Sequence, residues 1–343
     1  MLVSYWWKAD LQNSYKSYTK KRNIFLFFNL MNTQNTLKNV LFPSCIFNAS
    51  GPACTTLEEL TWLAESDSGW ITMKSCSPES REGNPSPRYI EVELGSINSM
   101  WLPNHGYKAY LEYAKTLKQD YPEKPIITSI VGFCPEDFLL LVDAFQKSPY
   151  VDVLEVNLSC PNVVGKPQIA YDFETTDSLL QKIFAIYDEK KPIGCKLPPY
   201  FDPAHTEMMA EVLGKYPIDF LTCINSVWNT LIIDPETESP VIKPKWGLWG
   251  LWGDYVKPVA LANVRMFYKL LWDKMQIIGC GGIKSWIDVF EHLLAGASFV
   301  QLGTVYAREW AWCFARIEQE LKDYASKKWY SDISEIIWNL QEL

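Results

Sequence analysis

Eight short apolar segments recur along the chain, nearly all closed by a polar or glycine-bearing cluster: residues 45–49, 70–74, 126–131, 153–157, 193–197, 219–224, 276–279 and 299–303. Most show no polar alternation, which is how strands covered on both faces read. Between them the apolar residues fall at helical spacing, among other places over residues 57–66, 136–146, 177–187, 258–272, 287–295 and 309–324. Alternating strand and helix predicts an α/β fold with a parallel sheet. Eight such units predict a (β/α)8 TIM barrel forming a single domain, whose chemistry gathers at the C-terminal ends of its strands. A doubly wound open sheet is the rival, but it would collect ligand groups at one switch point rather than after nearly every strand.

Composition narrows the function. Hydrophobic residues make up 48% of 343, ample for a large core, and the net charge of −8 offers no general basic surface, so nucleic acid is not expected as a partner. The nine cysteines include no C-x-x-C pair and no histidine at ligand spacing, which points to a reducing, cytoplasmic setting and no metal site. Lys20-Lys21-Arg22 ahead of the apolar run 24–31 resembles a secretory signal without its cleavage site. That run is shorter than the ~18 residues a membrane span needs. Residues 1–30 are therefore expected to be a non-native or disordered extension, with the enzyme-like domain over residues 31–343, Met31 as its start and no membrane partner.

The strand ends carry the chemistry. In chain order they read Asn48-Ala49-Ser50-Gly51, Lys74-Ser75-Cys76, Asn157 to Asn162, Lys196, Asn225-Ser226, Gly281-Gly282 and Gly303-Thr304. The last two follow strands seven and eight, where barrels often bind phosphate through backbone N–H groups, although either pair alone would mark only a tight turn. Lys196 and Lys74 sit in apolar settings that favour an anionic partner; as plain strand-end lysines they would snorkel to solvent. Asn98, in a long βα loop, joins Asn157, Asn162 and Asn225 in offering amides that suit a flat polar heterocycle, though each alone could cap a turn. Cys160 lies in a polar loop, the context of a reactive thiol rather than of a packed one, and His105, His205 and His292 make no triad with it.

Several stretches resemble class 1A dihydroorotate dehydrogenases: Asn48 to Gly51, Arg81-Glu82-Gly83-Asn84-Pro85, Leu94 to Met100, Asn157 to Asn162, Gly165-Lys166-Pro167-Gln168, Lys196-Leu197-Pro198-Pro199-Tyr200, Asn225-Ser226, Ala260 to Arg265 and Phe290 to Leu294. The resemblance runs from about Met31 to Leu343. It implies a cytoplasmic, homodimeric barrel enzyme of pyrimidine biosynthesis that carries FMN, oxidises dihydroorotate to orotate and reduces fumarate to succinate. It further implies Cys160 as the base at C5; class 2 enzymes, which are membrane-associated, carry serine there. Lys74, Asn98, Met100, Leu102, Asn157, Asn162, Asn225 and Ser226 would surround orotate. FMN would be held by Ala49, Ser50, Gly51, Lys74, Ser75, Asn157, Lys196, Ile224, Gly253, Gly281, Gly282, Gly303 and Thr304, with Lys196 stabilising negative charge on the reduced ring. Two alternatives stay open: a class 1B catalytic subunit using NAD through an iron–sulfur/FAD partner, and a non-catalytic barrel.

The second alternative arises from one recurrent departure. Trp101, Trp228, Trp249, Trp252, Trp286, Trp310, Trp329 and Trp338 stand where the resembling family carries glycine. Such replacements combine overpacking with backbone strain wherever φ is positive. One cause accounts for all eight: GGA and UGA differ by one base, some bacterial lineages read UGA as glycine, and decoding it as tryptophan would place Trp at these sites. The other explanation is real divergence. On the literal sequence, Trp101 is expected to crowd the orotate loop, and Trp249 and Trp252 to stiffen a loop that must approach FMN.

Overall fold

In the computed structural model, residues 31–159, 167–243 and 247–341 are described. All eight expected strands form: β1 (Ile46–Asn48), β2 (Ile71–Thr72), β3 (Ile126–Ile130), β4 (Val153–Asn157), β5 (Ile193–Leu197), β6 (Phe220–Cys223), β7 (Gln276–Cys280) and β8 (Ala297–Leu302). They make one parallel sheet in the spatial order β1-β8-β7-β6-β5-β4-β3-β2. The β1–β2 seam is closed by a side chain, since Asn48 donates to Thr72 O (2.7 Å) and accepts from Thr72 N–H (2.8 Å). Backbone Gly69 N–H to Ile46 O, at 2.8 Å, finishes the closure. Every residue of β1 to β6 and of β8 is buried, as the mainly apolar runs without polar alternation require.

Helices α1 (Leu57–Ala64), α2 (Tyr107–Asp120), α3 (Pro135–Lys147), α4 (Phe173–Phe184), α5 (Pro203–Leu213), α6 (Lys257–Leu271) and α7 (Trp286–Leu294) follow strands one to seven, and α8 (Thr304–Glu309) and α9 (Trp312–Lys327) follow β8. Local chemistry sets their starts. Thr56 and Glu59 form a reciprocal capping box at α1, Ser285 and Asp288 form another at α7, and proline occupies the first turn of α3, α5 and α6. Below the barrel, a hairpin of Asn35–Leu37 with Val40–Phe42 inserts Phe42 against Trp70 and Phe299, at ring separations of 3.9 and 5.4 Å. Met31 is only 1% exposed and joins this core, so it belongs to the folded body. Residues 1–30 lie outside the described residues.

Two expected loops are strands. Tyr89–Val92 and Gly95–Asn98, from the segment after β2, pair with Trp249–Gly253 and Val227–Thr230, from the segment after β6, in a four-stranded antiparallel sheet. Gly253 faces Gly95 across this sheet with φ 92°, and a Cβ on Gly253 would lie 2.3 Å from the Gly95 Cα, so both positions need glycine. Trp249 is 1% exposed and packs with Ile97, Ile242 and Trp228 in a small second core. It is accommodated as a strand residue instead of stiffening a loop.

The expected helix over 309–324 is broken at Trp310, whose φ of 54° ends α8 before α9 begins. Among the described residues ten non-glycine residues have positive φ, and four are tryptophans of the group named above: Trp101 (54°), Trp310 (54°), Trp329 (66°) and Trp338 (63°). This region favours glycine because a Cβ crowds the following carbonyl. Trp228, Trp249, Trp252 and Trp286 lack that conformation. Backbone strain thus accompanies half of the group, and packing of a large ring the rest.

Candidate active site

The barrel delivers its strand-end residues to one cavity of about 530 Å3. Its lining includes Ala49, Ser50 and Gly51 after β1, Lys74 and Ser75 after β2, Asn157 on β4, Lys196 on β5, Ile224, Asn225 and Ser226 after β6, Gly281 and Gly282 after β7, and Gly303 and Thr304 after β8. The antiparallel sheet adds Asn98 and Gly253, and the segment after it adds Met100 and Leu102. Every expected site residue that is described therefore meets here. Cys160 and Asn162 lie outside the described residues.

Part of the lining is a hydrogen-bonded cluster of amides. Asn157 Oδ1 accepts from Ser159 N–H (3.1 Å) and from Asn225 Nδ2 (3.4 Å), and Asn157 Nδ2 donates to Ser75 Oγ (3.4 Å). Asn225 Nδ2 also donates to Ser159 Oγ, and Asn225 Oδ1 accepts from Ser226 N–H. Asn98 Nδ2 donates to Gly250 O at 3.1 Å, which ties the sheet to the site. Lys74 is 7% exposed and donates to Gly51 O at 2.7 Å. Trp101 also lines the cavity, with its ring under the Arg81 guanidinium, 4.7 Å from centroid to Cζ, and the cavity remains beside it.

The glycines after β7 form a cradle in the same lining. Gly281 and Gly282 have φ of 131° and 71°, and a Cβ on Gly282 would come within 2.9 Å of the Lys257 backbone. The loop is held from behind. Asp288 accepts from Lys284 and Ser285 N–H at 3.0 and 2.9 Å, and the His292 ring nitrogen Nε2 lies 3.2 Å from Gly281 O. His292 is fully buried, which pushes its pKa down to about 4 and keeps the ring neutral, so Nε2 donates to that carbonyl. Beside it, α8 starts at Gly303-Thr304, in the position where barrels bind phosphate.

Lys196, also in the lining, is 4% exposed, with Nζ 2.9 Å from Gln301 Oε1. Gln301 and Glu155 escaped sequence reasoning, although a polar residue inside an otherwise apolar strand was the available signal. The cysteines separate clearly. Burial pushes the thiols of Cys45, Cys54 and Cys76 up to about 12 and raises those of Cys195, Cys223 and Cys280, so none of these six is poised as a thiolate at neutral pH.

Residues 32–324 match the family model of dihydroorotate dehydrogenase. The chain belongs to that family. It is 47% identical over 315 residues to dihydroorotate dehydrogenase A (fumarate) of Lactococcus lactis subsp. cremoris, spanning 92% of this chain and all of that protein. It is 49% identical over 306 residues to dihydroorotate dehydrogenase (fumarate) of Saccharomyces cerevisiae, spanning 89% of this chain and 97% of that one. The crystal structure of DHODH from Eimeria tenella in complex with ferulenol shares the fold, with a TM-score of 0.76 at 17% identity, over 97% of this chain and 94% of that one. Enzymes of the family are flavoproteins. A flavin nucleotide fits the residues gathered here: glycines whose backbone a phosphate can approach closely, a buried ammonium and hydrogen-bonding amides. No helix among the described residues is long and apolar enough to cross a membrane.

Proposed function

We propose that this protein oxidises dihydroorotate to orotate with FMN and passes the electrons to fumarate. The observation that carries the reading is the convergence on one cavity of the positive-φ glycines Gly281 and Gly282, the buried Lys196 ammonium and the amides of Asn98, Asn157 and Asn225. When bound, the flavin supplies the acceptor for the hydride leaving C6 of dihydroorotate. The chain does the remainder. The amides donate to and accept from the ring edges of the pyrimidine and fix its plane, and Lys74 and Lys196 supply positive charge where anionic groups bind. Cys160, taken from the family pattern, removes the proton from C5, so that loss of one proton and one hydride leaves the C5–C6 double bond of orotate. The same electron pair with two protons converts fumarate to succinate.

The fumarate-type names of relatives at 47% and 49% identity support this reading over a class 1B subunit. The same resemblance supports a cytoplasmic homodimer. A purified yellow protein that forms orotate only when fumarate is supplied is the expected result. Turnover that needs an NAD-linked partner protein would instead make it a class 1B subunit, and a colourless folded protein would refute the flavin reading.

A further inference from the structure

Glu155, on β4, is fully buried, and the four groups among the described residues that donate to its carboxylate are all neutral. They come from four different strands or strand ends. Oε1 takes Ser129 Oγ at 3.0 Å and Ser50 Oγ at 3.3 Å; Oε2 takes Thr222 Oγ1 at 2.8 Å and Gln301 Nε2 at 3.0 Å. The carboxylate therefore sits inside the barrel, beneath the cavity. A buried charge is costly unless its hydrogen bonds are complete, and this one is anchored on all sides.

Two chains of hydrogen bonds leave that anchor, each with its direction fixed by an acceptor that cannot donate. Gln301 must turn its NH2 to Glu155, which leaves its carbonyl oxygen for the Lys196 ammonium at 2.9 Å. A flipped Gln301 would set oxygen against carboxylate and NH2 against ammonium. Ser129 and Ser50 both give their protons to Glu155, so the Ser75 hydroxyl, 2.9 and 3.3 Å from them, donates toward this pair, and Ser75 accepts from Asn157 Nδ2 at 3.4 Å. One carboxylate thus fixes both a lysine and an amide of the cavity lining.

We propose that Glu155 is a positioning residue for the flavin reaction: through Gln301 it orients the Lys196 ammonium, and its charge offsets that ammonium in the site where the flavin would be held. The inference rests on the flavin reading above. Removing the negative charge favours electron uptake by the ring, and an ammonium released from Gln301 finds its next anionic partner in the reduced ring, so both effects raise the midpoint potential.

The test compares the potential of bound FMN, by spectroscopic titration against a reference dye, in the wild type, Glu155→Gln and the exchanged pair Glu155→Gln/Gln301→Glu. In the pair, the amide introduced at position 155 can donate to the carboxylate introduced at position 301, which accepts from Lys196, so hydrogen-bond direction and net charge are both restored. Glu155→Gln should shift the redox equilibrium about tenfold toward reduction, about 30 mV for a two-electron couple, and the pair should return to the wild-type value. Flavin-loaded Glu155→Gln at the wild-type potential overturns the inference alone, whereas a wild type that takes up no flavin overturns the flavin reading and the inference with it. Should Glu155→Gln fail to fold, a folded pair at the wild-type potential supports the inference. A pair that also fails to fold, or that holds flavin at a displaced potential, refutes it.

Discussion

Trp329→Gly should stabilise the protein, and the structure gives the size of the effect. Trp329 follows the last turn of α9 with φ 66°, and it is 92% exposed, so its ring has almost no burial to lose. Trp329 N–H donates to Ser326 O at 3.1 Å and Tyr330 N–H to Ala325 O at 3.0 Å. This is the Schellman arrangement, whose left-handed residue is usually glycine. A side chain there costs about 1–2 kcal/mol, and the greater freedom of glycine in the unfolded chain takes back roughly 0.5–1 kcal/mol. The net gain is about 0.5–1 kcal/mol. At an unfolding entropy of about 2.1 cal/mol/K per residue, 1 kcal/mol moves the Tm of a chain this long by roughly 1.4 °C, so the denaturant midpoint is the more sensitive measurement. Trp329→Ala is the decisive control, because it removes the ring and keeps the Cβ. The glycine variant should be the more stable of the two; equal midpoints at equal m-values would refute the claim that the backbone, and not the ring, is the source of strain.

Other consequences are open to measurement. If the tryptophans arise from UGA read as glycine, restoring glycine at Trp101, Trp228, Trp249 and Trp252 together should raise dihydroorotate-dependent flavin reduction well above the literal sequence; UGG at all four codons, or equal turnover in both proteins, would end that explanation. Cys160→Ala should keep its flavin yet lose at least ~10²-fold in dihydroorotate oxidation, with serine slightly better and its optimum displaced to alkaline pH, and an undiminished rate would remove Cys160 from the role of base. His292 has a folded-state pKa of about 4, below the ordinary value of 6.5, so the unfolded chain binds more protons between those values. Stability should therefore fall as pH drops from 6.5 to 4, by on the order of 3 kcal/mol from this group, and His292→Gln should flatten that slope in pH-dependent denaturant titrations. A protein beginning at Met31 should retain its fold and flavin, because Met31 supplies the core contact; loss of flavin on truncation would assign residues 1–30 a structural part.

The sequence by itself determined the barrel and most of its site. Strands buried on both faces need continuous apolar runs, and helices need their own period and caps, so both are written locally. Because a barrel gathers its strand ends, the clusters Ala49-Ser50-Gly51, Lys74-Ser75, Asn225-Ser226 and Gly281-Gly282 could be placed in one cavity without coordinates. Tertiary structure alone decided the rest. The strand Gly95–Asn98 finds its partner in Trp249–Gly253, far along the chain, and neither segment carries a run that identifies it in isolation. Trp310 breaks an otherwise continuous helical pattern through a backbone angle that composition does not reveal. Glu155 and Gln301 are single polar residues in apolar strands, and what they mean depends on donors brought from β1, β3, β5 and β6. A buried charge is satisfied by whatever the fold places around it, and that surrounding exists only once the barrel has closed.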